Sequence, residues 1–168
     1  MNYGRIYSDY KDELELALVQ NCAVECELYS IIASVLRESE SGRCVSIRDV
    51  STRRTTANSI YLKGKSGFPD FVVLKREKIE KAQILGCIEI KRPDVELNQT
   101  DQISGHINSY NKMIYTNGLV WQFFEQNKEM EEICLGSYTD NKDIKWNNNS
   151  NWFKSVSYTH LTLPTTSR

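Results

Sequence analysis

Gly67-Phe68-Pro69-Asp70-Phe71-Val72-Val73-Leu74 and, after a charged interval, Ile84-Leu85-Gly86-Cys87-Ile88-Glu89-Ile90-Lys91-Arg92-Pro93 are the two runs on which the fold turns. Both read as strands, the first opening at Pro69-Asp70 and the second closed by Pro93. The charged segment Lys75–Lys81 between them predicts a hairpin tip. Running back antiparallel, that hairpin returns Glu89 and Lys91 to the side of Asp70. Side chains alternate along a strand, so Glu89 and Lys91 point to one face and Ile88 and Ile90 to the other. Two carboxylates and one ammonium are therefore expected at one sheet end.

Such a set suits phosphodiester hydrolysis. Two carboxylates a few ångströms apart cannot both ionise cheaply unless a cation sits between them. Mg²⁺ accepts hard oxygens and keeps waters, and it can polarise a phosphoryl oxygen and acidify an attacking water. The carbonyl of Ile90 is placed to be a further metal ligand. Lys91 can orient the water and offset charge in the transition state. The acidic-x-Lys triplet alone says little, because composition predicts ~1.6 by chance and the chain holds four. Only the Glu89 triplet lies in an apolar strand that follows a Pro-Asp strand start.

Working outward, Tyr10 to about Leu36 contains no Gly or Pro and places apolar residues at helical spacing, which predicts one helix. Leu18, Cys22, Cys26, Tyr29, Ile32, Ala33 and Leu36 share one arc, with Glu25 in its middle. A carboxylate within an apolar stripe is costly unless paired or bound to metal. Glu27 falls on the opposite side, toward solvent, and Cys22 and Cys26 read as buried thiols. Cys44–Val50 and Ser59–Leu62 are candidate strands. A helix over about 99–111 follows the catalytic hairpin, with His106 as an ordinary helix-surface residue. Met113–Tyr115 and Leu119–Phe124 read as strands joined at Thr116-Asn117-Gly118, where Asn-Gly favours a tight turn. Trp121, Phe123 and Phe124 read as core. Glu131–Leu135 is a candidate edge strand, and the Asn-rich stretch beyond Ser137 is expected to be loop. Helix, strands, helix and strands in that order imply an α/β fold, a mixed β-sheet flanked by helices.

The 168 residues suit one hydrophobic core, and a hydrophobic share of 40% excludes wholesale disorder. No apolar run approaches a membrane span, and the N-terminus does not resemble a secretory signal. Five cysteines form no CxxC pair, which implies reduced thiols and a cytoplasmic location. The net charge of −1 hides a division: residues 1–42 carry −5, residues 43–92 carry +7 and residues 93–155 carry −4. A basic middle between acidic ends implies one polyanion-facing side, and Arg53, Arg54, Lys63 and Lys65 are candidate phosphate contacts. Gly64-Lys65-Ser66 matches the end of a phosphate-binding loop, but Ser59 stands where that loop needs glycine, and a strand follows.

The Asp70, Glu89 and Lys91 pattern resembles the PD-(D/E)xK superfamily of restriction-endonuclease-like nucleases over about residues 20–135. More narrowly, Gly67-Phe68-Pro69-Asp70, Ile88-Glu89-Ile90-Lys91, Gln102-Ile103 with Tyr110, and Tyr115-Thr116-Asn117-Gly118-Leu119 are similar to N-terminal nuclease domains of type I and single-chain restriction enzymes. The resemblance implies that Asp70 and Glu89 bind Mg²⁺, with Mn²⁺ able to substitute. It makes Lys91 the catalytic lysine and Glu25 the helix-borne acid that completes the metal shell. It places Gln102 on the helix after the catalytic strand, positioning DNA or Lys91. Where some relatives carry tyrosine four residues beyond that glutamine, this chain has His106.

Val156-Ser157-Tyr158-Thr159-His160-Leu161-Thr162-Leu163-Pro164-Thr165 resembles a translated sequencing adapter. The expected organisation is a nuclease-like domain over 1–136, an Asn-rich loop or truncated downstream region over 137–155, and a non-native tail over 156–168. The implied function is a Mg²⁺-dependent DNA endonuclease domain from a restriction-modification or related defence protein. Its implied partners are double-stranded DNA and a missing downstream motor or methyltransferase region, with no membrane. The alternatives are a catalytically inactive nucleic-acid-binding module of the same fold and a domain serving only as an assembly interface.

Overall fold

The computed structural model describes residues 3–20, 24–38, 44–139 and 143–147. The adapter-like stretch, Cys22 and His160 lie outside them. Two helices, α1 (Tyr3–Val19) and α2 (Glu27–Glu38), precede β1 (Val45–Asp49), β2 (Phe71–Lys75) and β3 (Ile84–Ile90). Then come α3 (Asp101–Ile107), β4 (Lys112–Thr116), β5 (Val120–Glu125) and β6 (Lys128–Cys134), and last β7 (Gly136–Tyr138) and β8 (Ile144–Trp146).

Strands β1 to β6 form one sheet in chain order, antiparallel throughout except for the parallel pair β3 and β4. Parallel neighbours need a crossover, and α3 supplies it. This is the mixed sheet with flanking helices that the sequence predicts. Both faces are covered. Ile88 and Ile90 join Tyr10 and Leu14 of α1 and Ile32 and Leu36 of α2 in one core, whereas Val72 and Cys87 meet Ile103 and Ile107 of α3 in the other. Trp121 and Phe123 are buried in the first and Phe124 in the second.

Four expectations need correction. The run from Tyr10 to Leu36 is two helices side by side, the start of α2 beside the end of α1. A single helix of that length would be about 40 Å long, while a seven-residue strand spans only about 23 Å; folding back lays both apolar stripes on the sheet. Ser59–Leu62 contains a 3₁₀ turn at Ile60–Leu62, not a strand. Its cause is local: the Ser59 hydroxyl donates to the Arg54 carbonyl and accepts from the Thr56 amide, which closes the backbone on itself. The stretch beyond Ser137 supplies the β7–β8 hairpin, whose Tyr138, Ile144 and Trp146 pack on the core. Cys26 is exposed, and the four described cysteines form no disulfide.

Candidate active site

The antiparallel register of β2 and β3 pairs Phe71 with Ile88, so Asp70 stands at the strand end beside Glu89. The Ile90 amide donates to Asp70 Oδ2 at 2.7 Å, and the Tyr29 hydroxyl of α2 donates to Oδ1. Both oxygens are thus aimed by rigid elements, one by a strand and one by a helix. Burial pushes the Asp70 carboxyl above its ordinary range, against the pull of the Tyr29 hydroxyl, the Ile90 amide and Lys91.

Glu89 is the most enclosed member, with its side chain only 3% exposed. The Lys91 ammonium donates to its Oε1 at 3.0 Å, and the Gln102 amide of α3 donates to the same oxygen at 3.0 Å. Its Oε2 is buried, has no hydrogen-bond partner among the described residues and faces His106 Nε2 at 3.6 Å. Burial, reinforced by the Asp70 charge, pushes Glu89 up to about 7. Lys91 is pulled down by burial, but Glu89, Glu25 and Asp70 outweigh that and hold it above its ordinary value.

Glu25 arrives by a different route from the one its helical spacing implies. It sits in the turn before α2, where its carbonyl accepts from the Leu28 amide, and its carboxylate lies 3.9 Å from Lys91. Burial raises its pKa, with Lys91 opposing and Asp70 adding. Glu27 is half-buried, and its Oε2 has no hydrogen-bond partner among the described residues, so it does not simply face solvent.

The sequence reading missed two contributors. Tyr29 reads as a core aromatic, and its ring does pack edge-on against Phe71, yet its hydroxyl holds Asp70. His106, expected on the surface, is fully buried. The signal was available: Ile103, His106 and Ile107 are spaced to share the inner face of α3, and Gln102 and His106, four residues apart, both reach Glu89. Burial, then Lys91, lowers the His106 pKa and so favours the neutral imidazole. Tyr110 has a structural role, donating to the Leu62 carbonyl at 2.7 Å. Asn117 likewise builds the β4–β5 turn, its Oδ1 accepting from the Leu119 and Val120 amides.

The donor set fits a hard divalent cation. Asp70 and Glu89 crowd carboxylate oxygens where burial resists their charge, and Glu89 Oε2 has no hydrogen-bond partner among the described residues. Mg²⁺ is typically held by one or two carboxylates with waters in its remaining positions. Among the described residues, no group of three or more His, Cys, Asp or Glu side chains is spaced to hold a metal. Glu25 therefore lies against Lys91 without closing a three-carboxylate cage.

No protein-family profile and no curated protein matches the chain. A solved structure does. The cryo-EM structure of the DrdV–DNA complex matches with a TM-score of 0.55 over 77% of this chain, at 14% sequence identity. This chain shares its fold with a segment of DrdV. The match spans 12% of the DrdV chain, so the likeness concerns one portion of a far longer protein. No helix among the described residues is long and apolar enough to cross a membrane.

Proposed function

We propose that the chain is a Mg²⁺-dependent DNA endonuclease domain that hydrolyses phosphodiester bonds, a cytoplasmic part of a larger restriction-modification or related defence protein. One observation carries the reading: Asp70, Glu89 and Lys91 converge at a single sheet end, with Glu89 linked to Lys91 at 3.0 Å and Asp70 tied to the same strand at 2.7 Å. The fold likeness to DrdV, solved with DNA, supports the choice of substrate. A motor or methyltransferase region of the same protein would act beside this domain.

Asp70 and Glu89 would hold Mg²⁺, or Mn²⁺ in its place, with the Ile90 carbonyl adjacent. Bound there, the ion supplies polarisation of the phosphoryl oxygen and a more acidic attacking water. Lys91, 23% exposed, presents its ammonium toward the phosphate and offsets charge that grows in the transition state. Gln102 fixes Glu89 Oε1, and the Tyr29 hydroxyl fixes Asp70, so neither carboxylate reorients when the substrate arrives. Glu25, 3.9 Å from the Lys91 ammonium, adds a second carboxylate to those that keep it charged.

A non-cleaving DNA-binding module is the second reading. The Lys91–Glu89 ion pair favours it, because that pair neutralises the buried carboxylate without any metal. Plasmid nicking separates the two. The wild-type chain should open supercoiled DNA only with Mg²⁺ or Mn²⁺, and Lys91→Ala and Asp70→Asn should each slow nicking by about 10²-fold or more. Undiminished nicking by Asp70→Asn overturns the nuclease reading, and duplex binding without any nicking by the wild type selects the second.

A further inference from the structure

The far end of the catalytic hairpin carries a feature that hydrolysis does not use. Strand β1 is a free edge of the sheet, and a cleft of about 780 Å³ wraps around it. Arg37, Arg48, Arg53, Lys75, Arg76 and Lys78 line it, against only Glu77 and Glu80. Lys75 is paired with Glu77. Among the described residues the other five cations make no ion pair and no side-chain hydrogen bond, and all five are exposed.

Five unpaired cations around one cleft repel one another within the ~8–10 Å over which salt leaves charges coupled. A lysine or arginine on an edge strand guards against pairing with another sheet. One such residue does that work, however, and Arg37 and Arg53 lie outside the strand. Three of the cations are spread along β1: Arg53 follows its Asp49 end, Arg48 lies within it, and the Arg76 amide donates to the Cys44 carbonyl just before its Val45 end. The register runs from Asp49 opposite Phe71, next to the catalytic Asp70, to Val45 opposite Lys75 at the tip. That is about 13 Å of strand. B-DNA presents one phosphate charge per ~1.7 Å of axis, so that length matches several phosphates.

We propose that this cleft grips the phosphate backbone of duplex DNA a few base pairs from the scissile bond, anchoring the substrate without reading its sequence. The proposal rests on the nuclease reading. The catalytic end is itself carboxylate-rich and repels phosphate, so a separate cationic seat is needed to keep the duplex engaged.

The test is binding of the full 168-residue chain to a labelled DNA duplex across a salt series without divalent cation, comparing wild type with Arg48→Gln/Arg53→Gln/Arg76→Gln/Lys78→Gln. Each phosphate contact contributes about 0.9 to the slope of log affinity against log salt, so the quadruple variant should lose about 3 to 4. Its nicking rate at saturating DNA should equal that of the wild type, and Lys128→Gln on the opposite sheet edge should keep the wild-type slope. A quadruple variant with an unchanged slope overturns the cleft while leaving the nuclease reading intact. So does equal loss in Lys128→Gln, or tighter binding to phosphatidylserine vesicles than to DNA. A wild type that binds with the steep slope but never nicks sinks the nuclease reading and retains the cleft as a DNA seat.

Discussion

The two ends of the β2–β3 hairpin are built from the same strands and have opposite chemistry. At the inner end Asp70 and Glu89 are buried, crowded and held by hydrogen bonds from three different elements. At the tip Arg76, Lys78 and Glu80 are exposed, and the chain is free to turn. Burial makes charge costly at the first end, and a carboxylate there earns its place only through a partner or an ion. Water screens charge at the second, so cations accumulate cheaply and act by number. A single substitution should therefore disable the inner end, while the tip yields only to several.

Three results would sharpen or break that contrast. The largest effect is expected for His106→Ala, which removes the group facing the buried Glu89 Oε2. Supporting groups of this kind govern metal affinity by about 10- to 100-fold. Calorimetric titration should show Mg²⁺ binding weakened by that factor, with the duplex salt slope unchanged; an unchanged Mg²⁺ affinity would remove His106 from the site.

Gly86 lies between the two ends. A Cβ there would stand 2.5 Å from the Lys112 backbone carbonyl across the β3–β4 pair. Gly86→Ala should cost about 1–3 kcal/mol of stability in urea unfolding, because the strands must part. It should also weaken Mg²⁺ binding at the inner end and spare duplex binding at the tip.

The smallest effect concerns pH. Glu89 in the folded chain titrates at about 7 instead of 4.5, so the folded state holds that proton more tightly than the unfolded state. For the metal-free chain this stabilisation is complete below about 4.5 and is lost as pH rises through about 7. Thermal unfolding should show stability falling across that window, and Mg²⁺ affinity should rise across it by up to about tenfold per pH unit as the competing proton leaves. Duplex binding through the arginines of the tip should hardly change. A metal-free chain that gains stability between pH 5 and 7.5 would mean that Glu89 is charged at rest.

Much of this arrangement was legible in the chain. Short apolar runs and the bounding prolines placed β2 and β3, with Ile84–Ile90 matching residue for residue, and the antiparallel return of Glu89 to Asp70 followed. β6 begins at Lys128, three residues before the expected start. Its first five residues are exposed, four of them charged, and its hairpin turns at Gln126-Asn127, both with positive φ. Glutamine in that position does not announce a tight turn as Asn-Gly does. Ser59 was misread because its hydroxyl closes a local turn that apolar patterning does not register.

Spacing along the chain determined the strands, the hairpin and the identity of the three principal groups, since alternation and proline act over a few residues. Only the packed molecule decided that the long apolar helix must fold back, and that this turn carries Glu25 to Lys91 and brings Tyr29 to Asp70. Only α3 lying on the sheet decided that His106 meets Glu89. These contacts join residues dozens of positions apart in some cases, and their geometry depends on how apolar faces seat against one another, a choice made by the whole core at once.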